Sequence, residues 1–155
     1  ILSNTKKRKK KSTLKQKGFK CHIGDILWYR VKEDLSDDDT DKTLIYTNNI
    51  KWGELEIGQK LKSKIEGKKQ YITNYTNQIV RNCIITPRVV GKRMKHCLLL
   101  DNENYVFENH VLVITHDDIE KLKELNEVIL NLSTEFSKFF NSSNLTATEL
   151  LNFSY

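Results

Sequence analysis

The stretch Tyr105–Leu132, YVFENHVLVITHDDIEKLKELNEVILNL, changes its hydrophobic period midway, and that change decides the fold class. Tyr105 to Thr115 is rich in β-branched and aromatic residues and reads as strand. From Ile119 onward the apolar positions Leu122, Leu125, Val128, Ile129 and Leu132 recur at helical spacing, and Phe136, Phe139 and Phe140 continue the stripe. Thr115 with Asp118 predicts the helix cap, and Thr146 with Glu149 predicts a second capping box ahead of Leu150 and Leu151. Strands precede the change and helices follow it. The expected class is therefore α+β: a strand-rich N-terminal part, with a mixed or antiparallel sheet, followed by C-terminal helices.

Reading outward toward the N-terminus, HCLLLD and YVFENHVLVIT, joined at Asp101–Asn104, predict a hairpin over His96–Thr115. NQIVRNCIIT (Asn77–Thr86) reads as a strand ended by Pro87, the only proline. Glu54–Tyr71 reads as short strands with a long loop, TLIYTNNI (Thr43–Ile50) as a strand, and Glu33–Lys42 as an acidic loop. GDILWYRVK (Gly24–Lys32) reads as a further strand, with Leu27, Tyr29 and Val31 on one face and Ile26, Trp28, Arg30 and Lys32 on the other. Ile1–Lys17, with KKRKKK at Lys6–Lys11, has no periodicity and is expected to be mobile or extended. The expected organisation is a basic linker or arm over 1–17 and one domain over 18–155, with strands to about residue 115 and helices over about 116–152. There is no internal repeat.

A chain of 155 residues suits one domain with a modest core. No apolar run approaches the roughly 20 residues of a membrane helix, and the basic start is not followed by a signal-peptide core. No membrane is expected. Ile1 stands where an initiator methionine would, which reads as a piece of something longer. Three cysteines, Cys21, Cys83 and Cys97, form an odd set that argues for a reducing, cytoplasmic setting. Charge runs in blocks: +9 over residues 1–20, −4 over 21–50, +8 over 51–100 and −7 over 101–155. A basic start and middle set against an acidic tail suggest a directional contact with a polyanion.

Catalytic signatures are sparse. The six glycines never fall as G-x-G, and one proline cannot form N-P-P-Y. Cys21-His22 and His96-Cys97 are adjacent pairs, awkward for one tetrahedral metal site, with no C-x2-C spacing. Glu66-Gly67-Lys68, with Asp41 upstream, offers the E-x-K half of a metal-nuclease motif. His110 beside Glu108 and Asn109 is a candidate general base, or a hydrogen-bonded histidine at a strand start. The binding signals are denser. Arg81, Arg88, Lys92, Arg93 and Lys95 cluster around Pro87 and Gly91, and arginine's planar fork suits guanine edges and phosphates. Asn48, Asn49 and Asn109 are candidates for bidentate pairing with adenine. Trp28 beside Arg30 and Lys32 would make a rigid platform flanked by cations, or an internal cation–π stack. The basic arm fits phosphate contacts, a plain linker or an import signal equally.

Four of these segments, in order, resemble the C-terminal target-recognition region of bacterial N6-adenine DNA methyltransferases, closest to the Eco57I-like restriction–modification enzymes. They are Gly18-Phe19-Lys20 with Gly24, Ile26-Leu27-Trp28, Arg30 and Lys32; Leu44–Ile50; Glu108–Ile114; and Thr146–Leu151. The middle basic segment follows that family loosely, Tyr29 and His22-Ile23 depart from it, and its proline-rich close is absent. The resemblance implies a DNA-binding region that carries no cofactor of its own. Its partners would be double-stranded DNA and an N-terminal catalytic domain of the same chain that binds S-adenosylmethionine. Taken with the basic cluster, the asparagines and the Trp28 platform, the candidate DNA-binding residues are Trp28, Arg30, Lys32, Asn48, Asn49, Arg81, Arg88, Lys92, Arg93, Lys95, Asn109 and His110. Other expectations are a module of a separate specificity subunit, with Asp117–Phe140 as a packing helix, and a metal nuclease using Glu66 and Lys68.

Overall fold

The computed structural model describes residues 11–39, 41–58, 66–88, 95–132, 135 and 146–155. Among them lie two four-stranded sheets and two helices, an α+β arrangement in which strands dominate the N-terminal part. The strands are β1 (Lys20–Ile23), β2 (Leu35–Ser36), β3 (Lys42–Ile45), β4 (Tyr71–Ile72), β5 (Cys83–Pro87), β6 (Cys97–Leu99), β7 (Tyr105–Phe107) and β8 (Val111–Thr115). The helices are α1 (Ile119–Asn131) and α2 (Ala147–Leu151). One sheet runs β1-β8-β5-β6, all antiparallel; the other runs β2-β4-β3-β7, with β3 and β7 parallel.

The central strands β5 and β8 of the first sheet are buried on both faces, which is why they are near-continuous apolar runs rather than alternating ones. Ile84, Leu112 and Ile114 face α1 and α2, where Leu122, Leu125, Ile129 and Leu150 are fully buried. Cys83, Ile85, Val111 and Val113 face the second sheet, meeting Ile45 and Phe107. On the far side of that sheet Leu44, Tyr46 and Val106 close a third cluster with Ile26, Leu35 and Ile72.

Helix α1 starts where the period changes, but Asp118 alone caps it, accepting from the Glu120 amide at 3.0 Å. Phe136, Phe139 and Phe140 lie outside the described residues. Thr146 caps α2 as expected, its hydroxyl accepting from the Glu149 amide at 3.2 Å.

Four strand expectations are corrected. Residues 96–115 are not a hairpin. A turn does form at 101–104, held by Asn102, whose amide donates to the Val80 and Tyr105 carbonyls. It sends the chain into the other sheet, so β6 pairs with β5 and β7 with β3. The 77–86 strand begins only at Cys83 and includes Pro87, because Ile79 and Val80 are spent on two different cores. The Thr43–Ile50 strand stops at Ile45 and gives way to a 3-10 turn over Thr47–Asn49. Gly24–Lys32 is not a strand either: Trp28–Arg30 and Lys32–Asp34 are successive 3-10 turns. Trp28 and Val31, three apart, both pack on the third cluster, and a 3-10 turn eclipses side chains at that spacing. A burial period of three has won over an apparent period of two.

The end of the expected arm is folded. Leu14 is fully buried beside Phe19 and Phe153, its amide donating to the Phe153 carbonyl at 2.8 Å. Ser12 and Tyr155 exchange backbone hydrogen bonds. Residues 1–10 of that arm lie outside the described ones.

Candidate nucleic-acid interface

Strand register decides which candidates meet. In the antiparallel ladder Pro87 sits opposite Val111, and the Arg88 amide donates to the His110 carbonyl at 3.1 Å. Ile85 opposite Cys97 brings Lys95 to the same end, where its carbonyl accepts from the Thr86 hydroxyl at 2.8 Å. Gly24 closes the row, its amide donating to the Val111 carbonyl at 2.8 Å. In the second sheet, parallel β3 and β7 end together at Ile45 and Phe107, and the turn carrying Asn48 follows β3. The Gly53 amide donates to the His96 carbonyl, which adds the turn carrying Lys51 and Trp52. Those two residues were not foreseen, because nothing local ties them to β6.

The corner Glu108-Asn109-His110 is where the chain crosses from one sheet to the other. The Glu108 amide donates to the Ile45 carbonyl and the Asn109 amide to the Ile26 carbonyl. Gly24 is needed here for space: a Cβ on it would lie 2.1 Å from the Glu108 carbonyl oxygen. Three of the four resembling segments therefore meet at this corner through backbone contacts.

The candidates divide by what their side chains do. Lys95, Arg30, Asn48 and His110 are exposed. Arg88 is half-buried on the rim. Asn109 is half-buried, with its amide 3.4 Å from the Gly24 carbonyl. Trp28 is half-buried on the core, with the Lys32 ammonium 5.3 Å from its ring centre. The cation over the tryptophan is thus Lys32, and Arg30 stands apart on the turn. Asn49 is 3 % exposed and fully engaged. Its Oδ1 accepts from the Tyr46 amide, and its Nδ2 donates to the Glu56 carbonyl and to Gln70. The Asn49 side chain is thus committed to partners inside the fold. Arg81 lies at the opposite end of β5, 3.8 Å from Asp101 and 3.7 Å from Glu103. Lys92 and Arg93 lie outside the described residues.

The other chemistries find little support in the geometry. Among the described residues no three His, Cys, Asp or Glu side chains gather as a metal site would need. Asp41 pairs with Lys42 at 3.4 Å, and Glu66 is exposed. The three cysteines are free thiols, and burial pushes Cys21 and Cys83 up to about 12 and Cys97 to about 11. They are poor nucleophiles. A pocket of about 180 Å³ opens between β1 and β7, but its Asp25 is already occupied by Tyr75 and Asn77, each at 2.7 Å. No helix among the described residues is long and apolar enough to cross a membrane. No protein-family model and no curated protein matches this sequence.

Proposed function

We propose that this chain binds double-stranded DNA as the target-recognition domain of a site-specific adenine methyltransferase of a restriction–modification system. One observation carries the reading: Arg88, Lys95, His110 and Asn109 share a single rim, where three of the segments resembling that family also meet. Lys95 and Arg88 would hold phosphates and set the register of the protein on the duplex. Asn48, exposed on its turn, has the donor and acceptor pair that adenine's major-groove edge requires, worth about 1–3 kcal/mol of discrimination. The target adenine would rotate out of the stack toward an S-adenosylmethionine-dependent catalytic domain elsewhere in the parent protein, because its amino group is inaccessible in a duplex.

The test is fluorescence anisotropy with labelled duplexes at low and moderate salt. The chain should bind, and Lys95→Ala should weaken binding on every sequence and lower the salt slope by about one. Arg81→Ala, at the other end of the sheet, should change neither. Selection from random duplexes should return a site containing adenine. Failure to bind any duplex at low salt, or an equal loss from Arg81→Ala, refutes the reading.

A further inference from the structure

The corner between the two sheets contains more than a chain crossing needs. Glu108 is only 3 % exposed, a costly place for a carboxylate unless it is paired. Among the described residues its ion-pair partner is His110 alone. One Glu108 oxygen lies 2.7 Å from His110 Nδ1; the other lies 3.0 Å from it and accepts from the His110 amide at 2.7 Å. The His110 side chain is meanwhile 61 % exposed. A carboxylate on Nδ1 requires a proton there, so Nε2 is the nitrogen that the ring shows to the outside. The charged residues on the neighbouring backbone are Glu108, Arg88 just past β5 and Lys95 just ahead of β6.

We infer that Glu108 and His110 form a dyad in which the buried carboxylate aims the imidazole so that Nε2 binds a backbone phosphate of the DNA. The inference rests on the DNA-binding reading and gives this rim its phosphate contact. A neutral ring would turn a lone pair toward the phosphate. Contact with the phosphate therefore needs a proton on Nε2 as well as on Nδ1, and Glu108 balances the charge of that doubly protonated ring. Glu108 touches no DNA in this scheme and is a positioning residue. Arg88 and Lys95 hold the neighbouring phosphates, so His110 adds a contact whose direction is fixed before the duplex arrives.

The experiment uses the 155-residue chain, a fluorescein-labelled mixed-sequence DNA duplex, and dissociation constants measured across about 50–200 mM salt. Nitrogen NMR of the imidazole is read in parallel. His110→Ala should raise Kd roughly tenfold and lower the salt slope by about one. Glu108→Ala should do the same although His110 is still present, and the free protein should lose its Nδ1–H signature. Glu108→Gln keeps an acceptor oxygen for Nδ1–H and should recover most of the affinity. Should Glu108→Ala not fold, the slope of His110→Ala, in which the residue-110 amide still donates to Glu108, decides the matter. Unchanged Kd and slope in His110→Ala, with Lys95→Ala still weakened, overturn the dyad and leave the DNA reading standing. A wild-type chain that binds no duplex removes both.

Discussion

Replacing Asn49 by alanine should destabilise this protein far more than replacing its neighbour Asn48, although the two are adjacent and chemically identical. Asn49 spans the turn after β3 with four hydrogen bonds. It accepts from the Tyr46 amide at 2.9 Å and from Gln70 Nε2 at 3.1 Å, and donates to the Glu56 carbonyl at 2.8 Å and to Gln70 Oε1 at 3.0 Å. Alanine strands the Tyr46 amide, the Glu56 carbonyl and Gln70 Oε1, while Gln70 Nε2 keeps the Leu44 carbonyl, and Gln70 is itself only 5 % exposed. A buried polar group left without a partner costs about 1–3 kcal/mol. Water entering the space offsets part of that, so a net loss of about 3 kcal/mol is expected. For a domain of this size that corresponds to a fall of about 6–12 °C in Tm. Asn48 is exposed, so Asn48→Ala should stay within about 0.5 kcal/mol. The assay is urea unfolding of both variants with a common m-value. A loss below about 1 kcal/mol in Asn49→Ala would refute the structural role and return Asn49 to the candidate DNA contacts.

Three further outcomes are expected. Leu14→Ala should cost about 2–5 kcal/mol in urea unfolding, because a fully buried side chain is removed from the main core; a surface-like loss would mean that the segment from Ser12 is not part of the fold. Gly24→Ala should cost at least about 1–3 kcal/mol by forcing the 107–108 backbone away, and a neutral result would show that the corner yields freely. Stability should fall as pH rises above about 9. Cys21 and Cys83 are raised from 9.0 to about 12 by burial, so the unfolded chain gives up protons there that the folded chain keeps. Urea midpoints between about pH 9 and 12 check this, and a midpoint that does not fall across that window would contradict it.

What the sequence made legible follows from how local each signal is. The α1 stripe and the apolar run of β8 are complete within their own segments, and both are found where read. The hairpin over 96–115 fails because a turn shows that the chain reverses but not which strand receives it; β3, sixty residues upstream, takes β7 instead. Trp28 is ambiguous for a different reason, since five residues do not separate a period of two from one of three. At the candidate interface, Lys95 and His110 are exposed, as a contact must be. Asn49 and Arg81 could not be sorted from the others, because their partners, Gln70 for one and Glu103 for the other, are more than twenty residues away.

The bonds between Ser12 and Tyr155, and between Leu14 and Phe153, bring the first and last stretches of the described residues side by side. A segment cut at Ser12 and Tyr155 would then start and finish at one place, a geometry that suits splicing into a host loop without stretching the host. The same geometry permits a permuted chain in which a short linker joins Tyr155 to Ser12 and new ends are opened among the exposed acids Asp37–Asp39. Such a ring-closed form would keep every strand pairing described above while releasing its former ends from the work of clasping each other.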